Sequence, residues 1–96
     1  KNSHAIKEQS EKLQAELAEL TAEGSSGGRM VNIKINGKFE LQEITLDPIC
    51  VDNRDVKMLE DLIIAAHNNA MQNIQEKIKE KSASLLGGLN LGNFGL

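Results

Sequence analysis

The feature that most constrains this fold is a stretch of helical periodicity that is too long for a compact domain. From residue 55 to residue 85, apolar residues recur every three or four positions, which is the spacing of one helix face. Such a helix would be roughly 46 Å long, whereas a compact chain of about 100 residues has a radius of gyration near ~13 Å. The sequence therefore predicts a long terminal helix, capped by Asp52 or Asn53, that projects past the rest of the domain.

A β-hairpin is predicted before this helix. Residues 30–36 alternate between apolar and polar side chains, as in a strand with one buried face. Asn36-Gly37 is a typical tight-turn dipeptide, and residues 38–47 supply the second strand. The fold class is thus α+β, with the order helix, β-hairpin, long helix.

Apolar pairing across the turn indicates the register of the hairpin. A three-residue loop over residues 36–38 places Ile35 opposite Phe39 and Ile33 opposite Leu41, which keeps apolar residues on one face. Farther along the second strand, the apolar residues switch from odd-numbered to even-numbered positions, which would place them on the other face of a regular strand. This change predicts a bulge near residues 42–43.

The first helix is predicted over residues 3–23. Ile6, Leu13 and Leu20 recur at a seven-residue spacing, which gives a narrow apolar stripe. Two interpretations remain open, because such a stripe suits either a partner helix or the domain's own core. The glycine-rich residues 24–28 then predict a flexible connector. A phosphate-binding loop is disfavoured, because such loops follow a strand and open a helix.

Chain length and composition predict a single domain over residues 1–86, followed by a glycine-rich tail over residues 87–96. The 96 residues include two Phe and no Trp or Tyr, so the chain has little aromatic surface to bury. A single cysteine, Cys50, cannot form an internal disulfide, and we interpret it as a small buried residue. Oligomerisation is the remaining way to complete a small core. The predicted dimer interface is the apolar stripe of the hairpin, namely Val31, Ile33, Ile35, Phe39 and Leu41.

Several classes of function lack their signatures in this sequence. There is no nucleophile elbow, no catalytic triad and no metal-ligand spacing, so we expect no enzyme, cofactor, metal or small-molecule substrate. No apolar run is long enough to span a membrane and no signal peptide opens the chain. Together with an unpaired cysteine, this predicts a cytoplasmic protein. His67 is expected to be a partly exposed helical residue, and Asn68 or Asn69 to hydrogen-bond to backbone where the helix meets the hairpin.

Charge is distributed unevenly along the chain. The whole chain has a formal charge of −3, which argues against a generally basic nucleic-acid binder. Residues 40–61 carry seven acidic and two basic side chains, so this segment is strongly acidic. If the two helices pack antiparallel, their lysines meet at one tip with a small positive balance, although ordinary mixed charge on a solvated helix pair would look similar. The lysines of this tip are Lys1, Lys7, Lys12, Lys77, Lys79 and Lys81.

These segments together resemble the YbaB/EbfC family of nucleoid-associated DNA-binding proteins. The resemblance runs from the Lys- and Glu-rich first helix through the glycine-rich link and the Asn36-Gly37 turn to Ile-Thr-Leu-Asp-Pro at residues 44–48. Its most specific part is Met-Leu-Glu-Asp-Leu-Ile-Ile-Ala-Ala-His-Asn-Asn-Ala at residues 58–70. The segment Gly87-Gly88-Leu89 also resembles the corresponding residues of the family. Ser3, His4 and Ser10 differ from residues that are common in the family.

The resemblance implies a homodimer that joins through the hairpin sheets and projects helical arms onto duplex DNA. It also implies roles in nucleoid organisation and gene regulation, in the bacterial cytoplasm. The first hypothesis is therefore a dimer that contacts DNA phosphates with the six tip lysines, because lysine binds phosphate without reading sequence. The alternative is a dimeric protein–protein interaction scaffold that does not bind DNA.

Overall fold

The computed structural model describes the backbone of residues 2–86 and the side chains of residues 10–83. A first helix is followed by a three-stranded antiparallel sheet in the order β1-β2-β3 and by a long helix, which confirms the predicted fold class. Lys1 and the predicted tail at residues 87–96 lie outside the described residues. The elements are α1 (Asn2–Glu19), β1 (Thr21–Ser26), β2 (Val31–Asn36), β3 (Leu41–Leu46), a short 3-10 turn (Pro48–Cys50) and α2 (Val56–Leu86).

Strand β1 was not predicted, and it replaces both the end of the expected first helix and the start of the expected connector. It pairs antiparallel with β2, with Ala22 opposite Ile35 and Gly24 opposite Ile33. Residues 21–26 are poor in β-branched and aromatic side chains, so their intrinsic strand preference is weak. The strand forms because Ala22 and Gly24 are small enough to be buried directly beneath α2.

The β2–β3 hairpin has the predicted bulge but a different register. Ile35 lies opposite Leu41, Lys34 lies opposite Glu43, and the extra residue between them on β3 is Gln42. The loop is shifted by one residue to 37–39. The expected pairing of Ile35 with Phe39 is therefore wrong, as is that of Ile33 with Leu41.

The side chain of Asn36 explains the shifted loop. Its Oδ1 accepts the backbone N–H groups of Lys38 and Glu40, both at 2.9 Å, and its Nδ2 donates to Glu40 Oε1 at 2.8 Å. The residue is only 2% exposed, so these bonds satisfy a polar group that would otherwise be costly to bury. The loop conformation leaves Phe39 with a φ of +63°.

The core lies between α2 and the first two strands. Residues of α2 pack on β1 and β2, while β3 has little helix cover. Cys50 is fully buried beside this core, as predicted for a small apolar residue. The buried apolar residues are Ala22, Val31, Ile33, Ile35, Cys50, Ala66, Ala70 and Ile74.

The long helix has nearly the predicted bounds, and it extends well beyond the sheet. Asp55, rather than Asp52 or Asn53, caps it, because Asp55 Oδ1 accepts the Met58 N–H at 3.1 Å. The last fully buried residue of α2 among those described is Ile74. The radius of gyration is 18.1 Å and the molecule measures 60 × 31 × 15 Å, so the elongated shape is as expected.

The C-terminal end of helix α1 contacts the β2–β3 loop. The Gly37 N–H donates to the carbonyl oxygens of Leu17 and Leu20 at 2.9 and 2.8 Å. Within the described residues, α1 makes its main contacts with β2 and does not pack extensively against α2. The antiparallel helix pair considered above is therefore not formed there, and Leu13 of the apolar stripe is 46% exposed.

Candidate nucleic-acid interface

The predicted lysines of α2 have three different environments. Lys79 is exposed, and Lys81, one turn from Lys77, is half-buried. Lys77 donates from Nζ to the carbonyl oxygen of Thr21 at 2.5 Å, so this side chain holds the helix against β1. Lys79 is therefore the α2 lysine most available for a phosphate, whereas Lys77 already has a structural partner.

The lysines of α1 are described only in part. Lys12 is exposed on the last half of the helix. Lys7 lies within α1, where only the backbone is described, and Lys1 lies outside the described residues. Because α1 and α2 do not pack extensively within the described residues, the structure does not bring Lys12 together with the lysines of α2. The described lysines of the predicted cluster therefore belong to two separate helices, with Lys12 on α1 and Lys77, Lys79 and Lys81 on α2.

Carboxylates accompany the lysines of α2. Glu76 and Glu80 are exposed, and both line a shallow cleft between α2 and the start of β1, together with Glu23 and Lys77. A cleft with more carboxylates than cations does not attract an anion. Contact with a polyanion is favoured on the part of α2 that carries Lys79 rather than in this cleft.

Basic residues in the acidic segment are paired with neighbouring carboxylates. Arg54 donates from Nε and Nη2 to the two carboxylate oxygens of Asp52, both at 3.0 Å. The side-chain hydrogen bond from Arg54 lowers the pKa of Asp52 below its ordinary value. Lys57 Nζ lies 3.2 Å from Oδ1 of Asp61, which is one turn away on α2. These pairs leave the segment with its negative balance.

A row of polar residues on α2 covers the outer edge of β1. Asn69 Oδ1 accepts the Ser25 N–H at 3.0 Å, and Asn73 Nδ2 donates to the Glu23 carbonyl oxygen at 2.7 Å. Lys77 continues the row one turn later. Asn69 thus binds backbone, as expected of Asn68 or Asn69, but its partner lies on β1 and not on the predicted hairpin. We call Asn69, Asn73 and Lys77 the edge clasp.

The predicted dimer-interface residues fall into two groups. Val31, Ile33 and Ile35 are 0–2% exposed, because α2 and β1 cover them within one chain; they are core residues rather than a surface for a partner. Phe39 and Leu41 are 50% and 49% exposed, and their role in a dimer stays a prediction.

Other apolar residues near β3 are exposed, and the sequence analysis did not assign them to a surface. The sequence contains an indication of this surface, since Ile44 follows the bulge and Ile49 and Val51 flank Cys50 after the Asp47-Pro48 break. Ile44 is 43% exposed and Ile49 is 76% exposed. Val51 and Val56 are also more than half exposed.

Two further observations concern the described residues alone. Among them, the His, Cys, Asp and Glu side chains form no group of three or more that is placed to hold a metal ion. No helix in this part of the chain is long and apolar enough to cross a membrane.

Comparison with known proteins gives consistent matches. A sequence profile of the YbaB/EbfC DNA-binding family matches residues 1–89. The nucleoid-associated protein TTE0040 of Caldanaerobacter subterraneus subsp. tengcongensis is 43% identical over 91 residues, which cover 95% of this chain and 82% of that protein. A nucleoid-associated protein of Acidobacterium capsulatum is 49% identical over 90 residues, covering 88% of this chain and 83% of that one.

The fold also has a counterpart among solved structures. The crystal structure of the uncharacterized protein HP0035 from Helicobacter pylori superimposes with a TM-score of 0.67 over 86% of this chain and 87% of that chain. The two sequences are 20% identical, so the likeness concerns the fold alone.

Proposed function

Since this chain belongs to the YbaB/EbfC DNA-binding family, we propose that it binds duplex DNA as a homodimer and acts in nucleoid organisation and gene regulation. The observation that carries the proposal is the family match over residues 1–89. The names of the relatives as nucleoid-associated proteins support a nucleoid location in the cytoplasm. The proposal is for a binding protein that needs no catalytic group, cofactor, metal or small-molecule substrate.

The contact with DNA is electrostatic in this proposal. DNA carries a dense line of negative charge, so the acidic residues 40–61 are repelled by it. The proposed contacts are lysines on the projecting part of α2 and on α1, of which Lys79 and Lys12 are exposed. Lys1, Lys7, Lys77 and Lys81 complete the proposed set. Lys77 contributes its charge from beside β1 while its ammonium group binds Thr21.

Phosphate contacts make the affinity depend on salt rather than on sequence. Each contact contributes about −0.9 to the slope of log K against log salt. A dimer that makes ~4–6 contacts should have a slope of about −4 to −5. Because phosphates are the same in every sequence, competitor DNA of unrelated sequence should displace the bound DNA almost equally well.

The test compares two pairs of lysines in a gel-shift titration at several salt concentrations. Replacing Lys79 and Lys81 with Gln should weaken binding to all sequences and bring the slope toward zero by about 2–4, because up to four contacts per dimer are lost. The matched control replaces Lys38 and Lys57 with Gln, which removes the same charge from exposed positions near the acidic residues. Lys77 is left intact, so that the contact of α2 with β1 is preserved.

The control should retain both the affinity and the slope. If the control pair loses DNA binding while the Lys79 and Lys81 variant keeps it, the sheet end becomes the DNA contact and the proposed surface is wrong. If the wild-type dimer binds no DNA even at low salt, the protein–protein scaffold becomes the better description.

A further inference from the structure

The middle of α2 has an exposed surface that carries no formal charge. None of residues 62–75 is Asp, Glu, Lys or Arg, although 26% of the chain is charged. Burial against the sheet accounts for the apolar side chains of Ala66, Ala70 and Ile74 in this stretch. It does not account for the neutral side chains that lie on the solvent side of the helix.

Four of these exposed side chains lie along one face of α2. They are spaced by four, four and three residues, which aligns them on a helix, and Lys79 follows four residues after the last of them. All are exposed, and the apolar Ile64 among them is 56% exposed. We call Ile64, Asn68, Gln72 and Gln75 the neutral stripe.

The amides of the neutral stripe differ in their environment from those of the edge clasp. Asn69 and Asn73 hydrogen-bond to the backbone of β1, so the fold itself uses their amide groups. Asn68, Gln72 and Gln75 are exposed, so their amide groups can bind a partner. Helix stability does not explain them, because Asn is a poor helix former and none of the three has a charge for an ion pair along the helix.

We propose that the neutral stripe lies against the sugar-phosphate backbone of DNA and extends the contact of Lys79 along α2. This inference rests on the DNA binding of the proposed function. Asn and Gln side chains hydrogen-bond to phosphate and sugar oxygens in protein–DNA complexes, while Ile64 packs on sugar carbons. The distance from Ile64 to Lys79 along the helix is about 22 Å, which matches about six phosphates of one strand.

The absence of carboxylates permits this close contact. Phosphates repel carboxylates, and the nearest carboxylates along α2 border the neutral stripe rather than interrupt it. Asp61 precedes the stripe and forms an ion pair with Lys57. Glu76 follows the stripe and lines the cleft between α2 and β1. DNA that contacts Lys79 therefore meets neutral donors along the preceding turns of the helix.

The shape of the molecule favours the DNA backbone over the base edges as the partner of the stripe. The major groove is about 12 Å wide and admits a single helix. At the neutral stripe, α2 packs on β1 and β2, and the molecule is 31 Å across in its second dimension. This broad body limits how far α2 can enter the groove. The amides therefore contact the backbone at the rim of the groove, where they read no sequence.

An added charge tests which way the neutral stripe faces. In gel-shift titrations, Asn68→Lys should make the slope of log K against log salt steeper by about 1–2, because each copy in the dimer gains one phosphate contact of about 0.9. Gln42→Lys is the control, since it adds the same charge at an exposed position of β3, and it should leave the slope unchanged.

Removal of the amides tests their contribution without a change of charge. Gln72→Ala combined with Gln75→Ala should weaken binding at least ten-fold at every salt concentration and leave the slope unchanged, because each neutral hydrogen bond is worth about two- to ten-fold. Alanine favours a helix, so circular dichroism should show an intact fold. The matched control, Gln42→Ala with Asn53→Ala, removes two exposed amides from residues 40–61 and should bind as the wild type does.

Three outcomes would overturn the inference while the lysine contact stands. They are an unchanged slope for Asn68→Lys, an equal change for Gln42→Lys, and wild-type affinity for the alanine pair. Measurements on an A·T-rich and a G·C-rich duplex add a further test, since a loss confined to one duplex would show that the stripe reads bases. A wild-type protein that binds no DNA at low salt would overturn the proposed function itself.

Discussion

At position 24, the absence of a side chain fixes how closely α2 lies on the sheet. A Cβ atom at Gly24 would lie 2.1 Å from the backbone N of Ala70 and 2.5 Å from the carbonyl oxygen of Ala66. Both atoms belong to helix backbone, which cannot move aside as a flexible side chain can. Gly24 therefore permits the close contact of α2 with β1 on which the edge clasp depends.

Gly24→Ala should destabilise the fold by about 3 kcal/mol or more, at the upper end of the cost of overpacking a core. Gly28→Ala is the control, because a Cβ there meets no atom within 4 Å. Its φ of +63° is unfavourable for alanine by about 1–2 kcal/mol. Urea denaturation followed by circular dichroism measures both, and a Gly24→Ala variant no less stable than Gly28→Ala would argue against the tight packing.

At the scale of the elements, the sequence predicted the helices and strands whose apolar periodicity spans many residues. It did not predict the features that depend on a tertiary contact. The length of α2 and the bulge of β3 followed from the apolar pattern, which spans many residues. Strand β1 did not, because its small residues have weak strand preference and become a strand only beneath α2. The register of the β2–β3 hairpin depended on the hydrogen bonds of one buried side chain, Asn36. Apolar pattern alone cannot show these bonds.

The edge clasp gives a prediction at this same scale. Asn69→Ala removes the acceptor of the Ser25 N–H, so the Ser25 amide should exchange with solvent faster, on the order of ten-fold for a loss near 1.4 kcal/mol. Asn73→Ala is the matched control, since Asn73 donates to a carbonyl oxygen and its loss frees no backbone N–H. Amide exchange by NMR distinguishes the two. Similar exchange at Ser25 in both variants would mean that Asn69 does not protect that amide.

At the scale of the whole molecule, the buried core and the α2 lysines of the proposed DNA contact lie in different parts of the chain. Among the described side chains of α2, the last fully buried one is Ile74, whereas Lys79 and Lys81 lie farther along the helix. The lysine positions were predictable from the sequence, but their environments were not. The contact of Lys77 with Thr21 depends on the unpredicted strand β1.

A chain that ends at Ile78 should therefore fold but bind DNA weakly. Its free energy of unfolding should fall by less than about 1 kcal/mol, which corresponds to a Tm change below ~4–8 °C, while the gel shift is largely lost. A chain that ends at Asn69 is the control and should not fold, because it lacks the buried Ala70 and Ile74. Full DNA binding by the chain that ends at Ile78 would show that the DNA contact does not lie on the projecting part of α2.

The edge clasp also limits how large an assembly can become. A sheet with two free edges can add strands at both sides and grow into a fibre. Here the edge clasp covers the β1 edge within the chain, so the described residues leave at most the β3 edge for strand addition. An assembly built by strand addition at the other edge would therefore stop at two copies, because no open edge would remain for a third.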